Sequence, residues 1–496
     1  MAEPGAARLG ARLAQTVLNR AALGAVFITV ALPLALGIGL GSGQKLGLTL
    51  GAALIAGLAA VTVAVVQPRW SYVGLAFSAG CAPFAVLPGA GLPIALLMVV
   101  MVWISAMTHR IELGPTDPVE VTVLILIAAS FVSLIATAVR MQDITEFTRW
   151  LVAMSVIFPL LRLPKDDLRR FGRVFVYGVG TGSVFALAMF FLDKSGSWMN
   201  HLAPFGYGNT GIIGTHLRFY QDGMTQVVRL TGTYIDPNVA GIFTLVGLTL
   251  ACALLRGRQR IVYALIIGGA LVITLSRSAM FSVVVAAVAL LMFQKMRADK
   301  RITIIAGCIA AAASTLAVPA VADRIFDSFS ASDTGTRART AALSDFPAAM
   351  EGHWLFGKGW GIDEFTNEVA GYNANYVANS PLVSIYRGGI FVGLAFVLVL
   401  VAGAVLAHRN ARKEPWESGV AGAGLVGFSL VGLQLDFPVV TNPSVTLAFV
   451  VLLTFVAADA VEPADDSENP APQPLPFVDK PVAPPAPPRK VNKHHA

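Results

Sequence analysis

Apolar runs follow one another along almost the whole chain, and that feature limits what it can fold into. They fall at roughly 21–41, 46–66, 71–87, 91–107, 119–139, 147–161, 171–192, 237–255, 260–275, 278–294, 302–322, 382–407, 418–436 and 445–460. About 20 apolar residues cross a bilayer as a helix. Of the 496 residues 55% are hydrophobic and only 13% are charged, against about 25% charged in soluble globular chains. Too few polar side chains remain to cover a water-soluble protein of this size. A cytosolic enzyme is therefore excluded, as is disorder outside the far C-terminal stretch. The expected fold class is all-α: a polytopic integral membrane protein of about 12–14 transmembrane helices. The lower number applies if one of the short, proline-interrupted runs (Pro83, Pro93, Pro159) pairs with a neighbour as a re-entrant hairpin. An even count keeps both termini on one side.

Charge gives the orientation. With residues 1–20 placed in the cytoplasm and the runs alternating, most of the 36 basic residues fall on cytoplasmic segments, as the positive-inside rule requires. The short, dense clusters Arg256–Arg260 and Lys295–Arg301 are among them. The net charge of +7 thus reports topology, and nucleic acid is not an expected partner. Arg8, Arg12 and Arg20 precede a run too long for a signal-peptide core, so the first span is expected to start insertion itself. The transmembrane domain is expected over 21–461. Residues 462–496, with Pro484-Pro485 and Pro487-Pro488, are expected to be a disordered cytoplasmic tail. Cys81, Cys252 and Cys308 lie in apolar runs without metal spacing and read as small buried hydrophobes. The glycines of Gly178-Val-Gly-Thr-Gly-Ser lie within a span and suit close helix packing.

Chemistry is expected in two long extracytoplasmic loops, 193–236 and 323–381, because loops of this length in a compact protein are usually functional. The first ends Arg229-Leu-Thr-Gly-Thr-Tyr-Ile-Asp-Pro-Asn238, where Asp236 and Pro237 read as N-cap and first helical position. The exposed amides of that helix, with Arg229 folded back over them, would form an anion site. Next, Arg277 stands between Ser276 and Ser278 in a tight turn. It is either a functional cation or a side chain snorkelling to the interface. The second loop contains Asp333, Arg337, Arg339 and His353, and ends at Ala378-Asn379-Ser380-Pro381, another helix start followed by Arg387. Arginine forks match phosphate oxygens bidentately, so this set suggests a pyrophosphate held by cations, with no metal and no cofactor. Plainer readings stand beside these. Asn379 and Asp236 serve as caps, and His353 is structural in a turn beside Trp354. Asp166-Asp167 lies on the basic face. Trp198, Phe205, Tyr207, Phe219 and Tyr220 are interfacial aromatics, and His201 and His216 lie at the surface.

Four blocks in order carry a resemblance. They are Arg229-x-x-Gly-Thr-Tyr-x-x-Pro-Asn238, Ser276-Arg277-Ser278, Arg337…His353-x-x-x-Gly357-x-Gly359, and Asn379-Ser-Pro-Leu-x-x-x-x-x-Gly388-Gly-Ile. The chain resembles the bacterial O-antigen ligase and polysaccharide polymerase superfamily. The resemblance implies a glycosyltransferase-C-like fold in the bacterial inner membrane. It implies inverting, metal-independent transfer of a glycan from a polyprenyl-diphosphate carrier to an acceptor hydroxyl on the extracytoplasmic face. The partners would be that lipid-linked donor, a glycolipid or glycan acceptor, and membrane lipid. Arg229 and Arg277 match the family's diphosphate-gripping arginines. Asn379, His353 and Asp333 are further catalytic candidates. Arg337, Arg339, Arg387, Ser276, Ser278 and Asn238 are substrate-binding candidates. Where the family often has a histidine before the Asn of the last block, this chain has Ala378, which leaves the base open among His353, Asp333, Asp363, Glu364 and Asp236. The alternative function is a transporter or flippase of lipid-linked glycans. Such a protein should show repeated halves with ionisable sites near the midplane, and the two halves here look dissimilar. A peptidoglycan polymerase would need a carboxylate such as Asp333 or Asp363 within its own motif, and that motif is not found.

Overall fold

The computed structural model describes residues 57–88, 91–109, 116–193, 195, 197–207, 218–222, 225–316, 322, 343–362, 379–413, 416–433 and 442–459. Among the described residues the apolar runs become helices almost one for one. They are α1 (Gly57–Val66), α2 (Pro68–Cys81), α3 (Ile94–Thr108), α4 (Pro118–Thr137), α5 (Met141–Ser155), α6 (Ile157–Leu161) and α7 (Lys165–Leu192). After the first long loop come α8 (Pro237–Leu254), α9 (Gly257–Ile273), α10 (Arg277–Phe293) and α11 (Ala298–Leu316). A short helix α12 (343–349) precedes α13 (Ser380–Gly388), α14 (Ile390–Asn410), α15 (Glu417–Gly432) and α16 (Pro443–Ala458). The fold is an all-α polytopic membrane architecture. Among the described residues, α4, the α5–α6 stretch, α7, α8 and α14 are long and apolar enough to cross a membrane. The runs at 21–41 and most of 46–66, and the tail, lie outside the described residues, so the twelve-or-fourteen alternative keeps its standing as an expectation.

Local chemistry sets most of the boundaries. Asp117, Asp236, Asn379 and Asn442 cap α4, α8, α13 and α16, each with proline in the first two helical positions. Proline there lacks only an N–H that would have no partner in any case, and the capping side chain satisfies the amides behind it. The shortness of α2 and α3 follows from Pro83 and Pro93. The first lies just beyond the end of α2, and the second supplies the N-cap of α3 and an isolated bridge to Val86.

At the centre, α8 and α16 are buried on nearly every face. Helices α7, α9, α10 and α15 surround α8, and α5, α14 and α15 border α16. The glycines of α7 act as read from the sequence. A Cβ on Gly178 would lie 2.7 Å from the Phe77 carbonyl of α2, so the two backbones touch directly. One end of the bundle carries acid–base pairs: Arg162–Glu120 at 2.8 Å, Arg260–Glu417 at 3.1 Å, and Lys413–Asp459. Asp166 and Asp167 pair with Arg169 and Arg170 at 3.0 and 3.6 Å, in keeping with their plain reading.

Several expectations change. The 382–407 run is two helices, α13 and α14, broken at Gly389 with φ 83°. A side chain there would strike the Leu355 carbonyl. The first loop is not irregular throughout. It holds an antiparallel hairpin, β1 (Arg218–Asp222) and β2 (Thr225–Arg229), with Arg218 opposite Arg229. Tyr207 is buried rather than interfacial, and Cys308 is exposed rather than buried. His201 is exposed, as expected.

Just past α7, Asp193 ties the chain into a turn. Its carboxylate accepts from the Trp198 N–H at 2.7 Å and the Ser195 hydroxyl at 2.7 Å. Burial alone would raise its pKa, but these bonds and the Ser197 and Ser195 amides outweigh it and hold the group at about 2. A depressed carboxylate stabilises the fold above its unfolded pKa of about 3.9, and the contribution disappears as pH falls through 2. Asp193→Asn is therefore expected to lower the melting temperature at pH 7 and to remove the part of the acid sensitivity between pH 4 and 2 that this group causes. Equal acid melting curves for the two proteins would contradict the assignment.

Candidate functional site

The site begins at the end of β2. Arg229 is half-buried, and two bonds fix its guanidinium: Nε donates to the Thr274 carbonyl at 3.0 Å and Nη2 to Asn238 Oδ1 at 3.0 Å. The Leu230 N–H also donates to the Ile273 carbonyl at 3.2 Å. One arginine thus links the start of α8 to the turn before α10. Behind it, Asp236 caps α8, accepting from the Asn238 and Val239 amides at 2.7 and 3.4 Å. The cap reading of Asp236 holds. The segment is anchored from below by Tyr234, whose hydroxyl donates to the Gly80 carbonyl at 3.0 Å, and by Thr233, which donates to the Cys81 carbonyl at 2.6 Å.

The two helix starts are in direct contact. A Cβ on Gly241, in the first turn of α8, would lie 3.1 Å from the Ser276 Cβ and 2.7 Å from the Ala279 Cβ. Ser276 is the N-cap residue of α10 and Arg277 its first residue. Ser276 and Ser278 are buried, and Ser276 Oγ has no hydrogen-bond partner among the described residues. Arg277 is half-buried. A cation at a helix N-terminus faces the positive end of the helix dipole. An anion bound there would compensate both charges at once.

Backbone strain marks the same two segments. Three non-glycine residues among those described have positive φ, and two of them are Ile235 at 65° and Leu275 at 50°. For branched side chains this conformation costs about 1–3 kcal/mol, and it persists where surrounding contacts hold it. Ile235 immediately precedes the α8 cap, and Leu275 immediately precedes Ser276. Sequence reading did not single out either residue, and their types give no signal for it.

Asn379 lies at the same end of the bundle. It caps α13, accepting from the Leu382 N–H at 3.1 Å, and its Nδ2 donates to the Leu433 carbonyl at 3.5 Å beyond α15. Helix α15 runs antiparallel to α10. Gly419 sits against Gln294, and a Cβ on Gly427 would lie 2.6 Å from the Ser282 carbonyl. From that last contact, Arg277 and Leu433 each lie five or six residues toward the same end, a rise of about 8–9 Å. Asn379 and Arg277 therefore stand at about one level.

The other candidates are placed elsewhere. Arg387 follows two turns after Asn379, at the far end of α13, where its Nη1 donates to the Trp360 carbonyl at 3.1 Å. It supports the 357–361 turn and does not join Arg229 and Arg277. His353 is exposed in the turn after α12. The neighbouring Trp354 carbonyl accepts from the Ile390 N–H at 2.8 Å, so His353 belongs to the α14 end of α13. The nine residues of α13 separate that end from the Asn379 cap by about 13 Å along the helix. Asp333, Arg337, Arg339, Asp363, Glu364 and Ala378 lie outside the described residues, as does His216.

The Gly357–Gly361 turn is clamped from both sides. Asp143 Oδ1 accepts from the Gly361 N–H at 2.7 Å, and its Oδ2 accepts from the Arg140 N–H at 3.0 Å. Trp360 is fully buried. It packs edge-on to Phe147 at 5.1 Å and beside Trp150 at 4.8 Å between ring centroids.

Comparison with known proteins adds one finding. Residues 262–397 match the family model described as O-antigen ligase. That range takes in α10, the second long loop with its clamp, and α13. No match was found among curated proteins.

Proposed function

On the premise that residues 262–397 are an O-antigen ligase domain, in a membrane protein of the glycan-transferring ligase and polymerase superfamily, we propose that the chain transfers a glycan from a polyprenyl-diphosphate carrier to an acceptor hydroxyl. The reaction takes place at the extracytoplasmic face of the bacterial inner membrane, with both termini in the cytoplasm. The observation that carries this reading is the junction of Arg229, Asn238, Thr274 and Arg277 at the touching starts of α8 and α10. Two guanidinium groups and the start of α10, whose amides Ser276 does not cap, suit a dianionic headgroup. The acid–base pairs at the other end of the bundle agree with a cytoplasmic face there.

In the proposed step the acceptor oxygen attacks the anomeric carbon from the side opposite the phosphate. The new C–O bond forms as the bond from the anomeric carbon to the phosphate oxygen breaks, and the electron pair passes to the departing diphosphate. Inversion follows. Arg229 and Arg277 stabilise the charge growing on the leaving group, and fixed donors act most strongly where charge develops. Ser276 and Ser278 shape the turn that presents Arg277. Asn379 orients the acceptor hydroxyl. Asp333 remains a candidate acceptor of the proton, and Arg337 and Arg339 remain candidate donors to phosphate or sugar.

Asn238 acts through Arg229. Asn238→Ala removes the Nη2 bond while Thr274 still holds Nε. Transfer is expected to fall by about tenfold, corresponding to the loss of roughly 1.5 kcal/mol of charge-assisted hydrogen bonding. That fall should be smaller than the one in Arg229→Ala, and an equal or larger fall would show that Asn238 itself meets substrate.

The test of the reading is reconstitution in vesicles with a synthetic polyprenyl-diphosphate oligosaccharide and an acceptor glycan. Release of polyprenyl diphosphate together with a longer acceptor is expected, in chelator as well as in buffer. Movement of the intact lipid across the bilayer without bond cleavage would overturn it in favour of a flippase.

A further inference from the structure

The turn after α12 exposes three consecutive apolar side chains, Trp354 at 42%, Leu355 at 57% and Phe356 at 41%. A run of this kind in a water-facing loop is unfavourable unless something covers it. The backbone beneath is firmly held. The His353 N–H donates to the Met350 carbonyl at 2.9 Å and the Gly357 N–H to the His353 carbonyl at 2.8 Å. Two further bonds fix the height of the turn against the bundle. The Ser133 hydroxyl of α4 donates to the Phe356 carbonyl at 2.8 Å, and the Ile390 N–H, at the first residue of α14, donates to the Trp354 carbonyl at 2.8 Å.

Both anchoring helices are long and apolar enough to cross a membrane. Ser133 lies four residues before the end of α4, a rise of about 6 Å. The turn is therefore drawn below the helix end rather than raised above it. Beside the turn the surface of α14 is apolar and exposed, at Phe391 and Leu394. The exposed apolar start of α14 thus adjoins the turn.

We infer that the Trp354-Leu355-Phe356 turn is a lipid-contacting anchor. It seats at the boundary of headgroups and acyl chains in the leaflet on the Arg229–Arg277 side. The occupant of this surface is bilayer lipid, because the turn adjoins the exposed apolar start of the α14 span and lies level with its first residue and near the last turn of the α4 span. An indole at that depth has its ring among the chains and its N–H at the headgroups. The anchor holds the clamped unit of α12, the Gly357–Gly361 turn and α13 against the membrane edge, and leaves His353 at the rim. It does not depend on which reaction the site performs.

The test uses the full-length protein in phosphatidylcholine vesicles. Leu355→Cys is made in a background with Cys81, Cys252 and Cys308 replaced by serine or alanine, and labelled with an environment-sensitive fluorophore. The expected result is blue-shifted emission that is mostly lost when the lipids carry a quencher near the headgroup. Less should be lost with a quencher at the chain end, and little with aqueous iodide. Strong iodide quenching with no lipid quenching would overturn the inference by placing the turn in water. Protection from both quenchers, with cross-links between copies, would overturn it in favour of a protein contact. Should the labelled protein fail to fold, tryptophan quenching by brominated lipid gives a second measurement. Trp354→Phe should reduce the quenched fraction, and an unchanged fraction overturns the inference equally.

Discussion

Arg277→Ala is expected to lower glycan transfer by on the order of 100–1000-fold, the usual loss when one fixed donor to a developing negative charge is removed. Arg277 is half-buried at the first position of α10, where a cation opposes the helix dipole by about 0.3–1 kcal/mol. Removing it relieves that opposition. Arg277→Lys keeps the charge but not the planar two-toothed fork, and should recover only part of the rate. Arg229→Ala should differ in kind. Its guanidinium ties Thr274 to Asn238, and each such bond contributes roughly 0.5–1.5 kcal/mol. That variant should therefore lose stability as well as rate. Single-turnover rates and melting curves on the four proteins separate the outcomes. An Arg277→Ala protein that transfers at the normal rate would remove Arg277 from the site, and snorkelling to the interface would then be the sufficient account.

That contrast between the two arginines was only half legible in the sequence. The starts of α8 and α10 are written locally, in Asp236-Pro237 and in the polar Ser276-Arg277-Ser278 between apolar runs. Caps and first-turn prolines act within four residues, so spacing alone locates them. The bond from Arg229 to Thr274 spans 45 residues, and nothing local announces it. The β1–β2 hairpin did have a signal, Gly223-Met224 between Arg-Phe-Tyr-Gln-Asp and Thr-Gln-Val-Val-Arg, a two-residue loop with glycine first, which apolar-run counting passes over. The break between α13 and α14 was likewise present as the Gly388-Gly389 doublet. Hydropathy averages across such a doublet, because glycine is neither strongly apolar nor charged. Arg387 looked like a third arginine beside a helix start. Its actual partner, the Trp360 carbonyl, lies 27 residues back, and proximity in sequence to Asn379 carried no information about where its side chain would reach.

Trp360→Ala should produce the largest loss of stability of any single change in the second loop, about 3–5 kcal/mol, as for other buried tryptophans truncated to alanine. The indole is fully buried against Phe147 and Trp150. Its own backbone carbonyl receives Arg387, and the next amide, that of Gly361, donates to Asp143. Truncation therefore empties a cavity and loosens both hydrogen bonds at once. The described part of the second loop meets α4 and α5 through this turn, so the loss should appear as new proteolytic cleavage within 343–362 as well as a lower melting temperature. Asp143→Ala should give the same cleavage at a smaller stability cost. The double variant should then lose less than the two singles added together, because residues serving one clamp are coupled. Full additivity with no new cleavage would mean that the turn does not hold the loop. The pattern should also be the reverse of that at Arg277. Trp360→Ala protein that remains folded at low temperature should keep a measurable transfer rate, since neither Arg229 nor Arg277 touches the clamp.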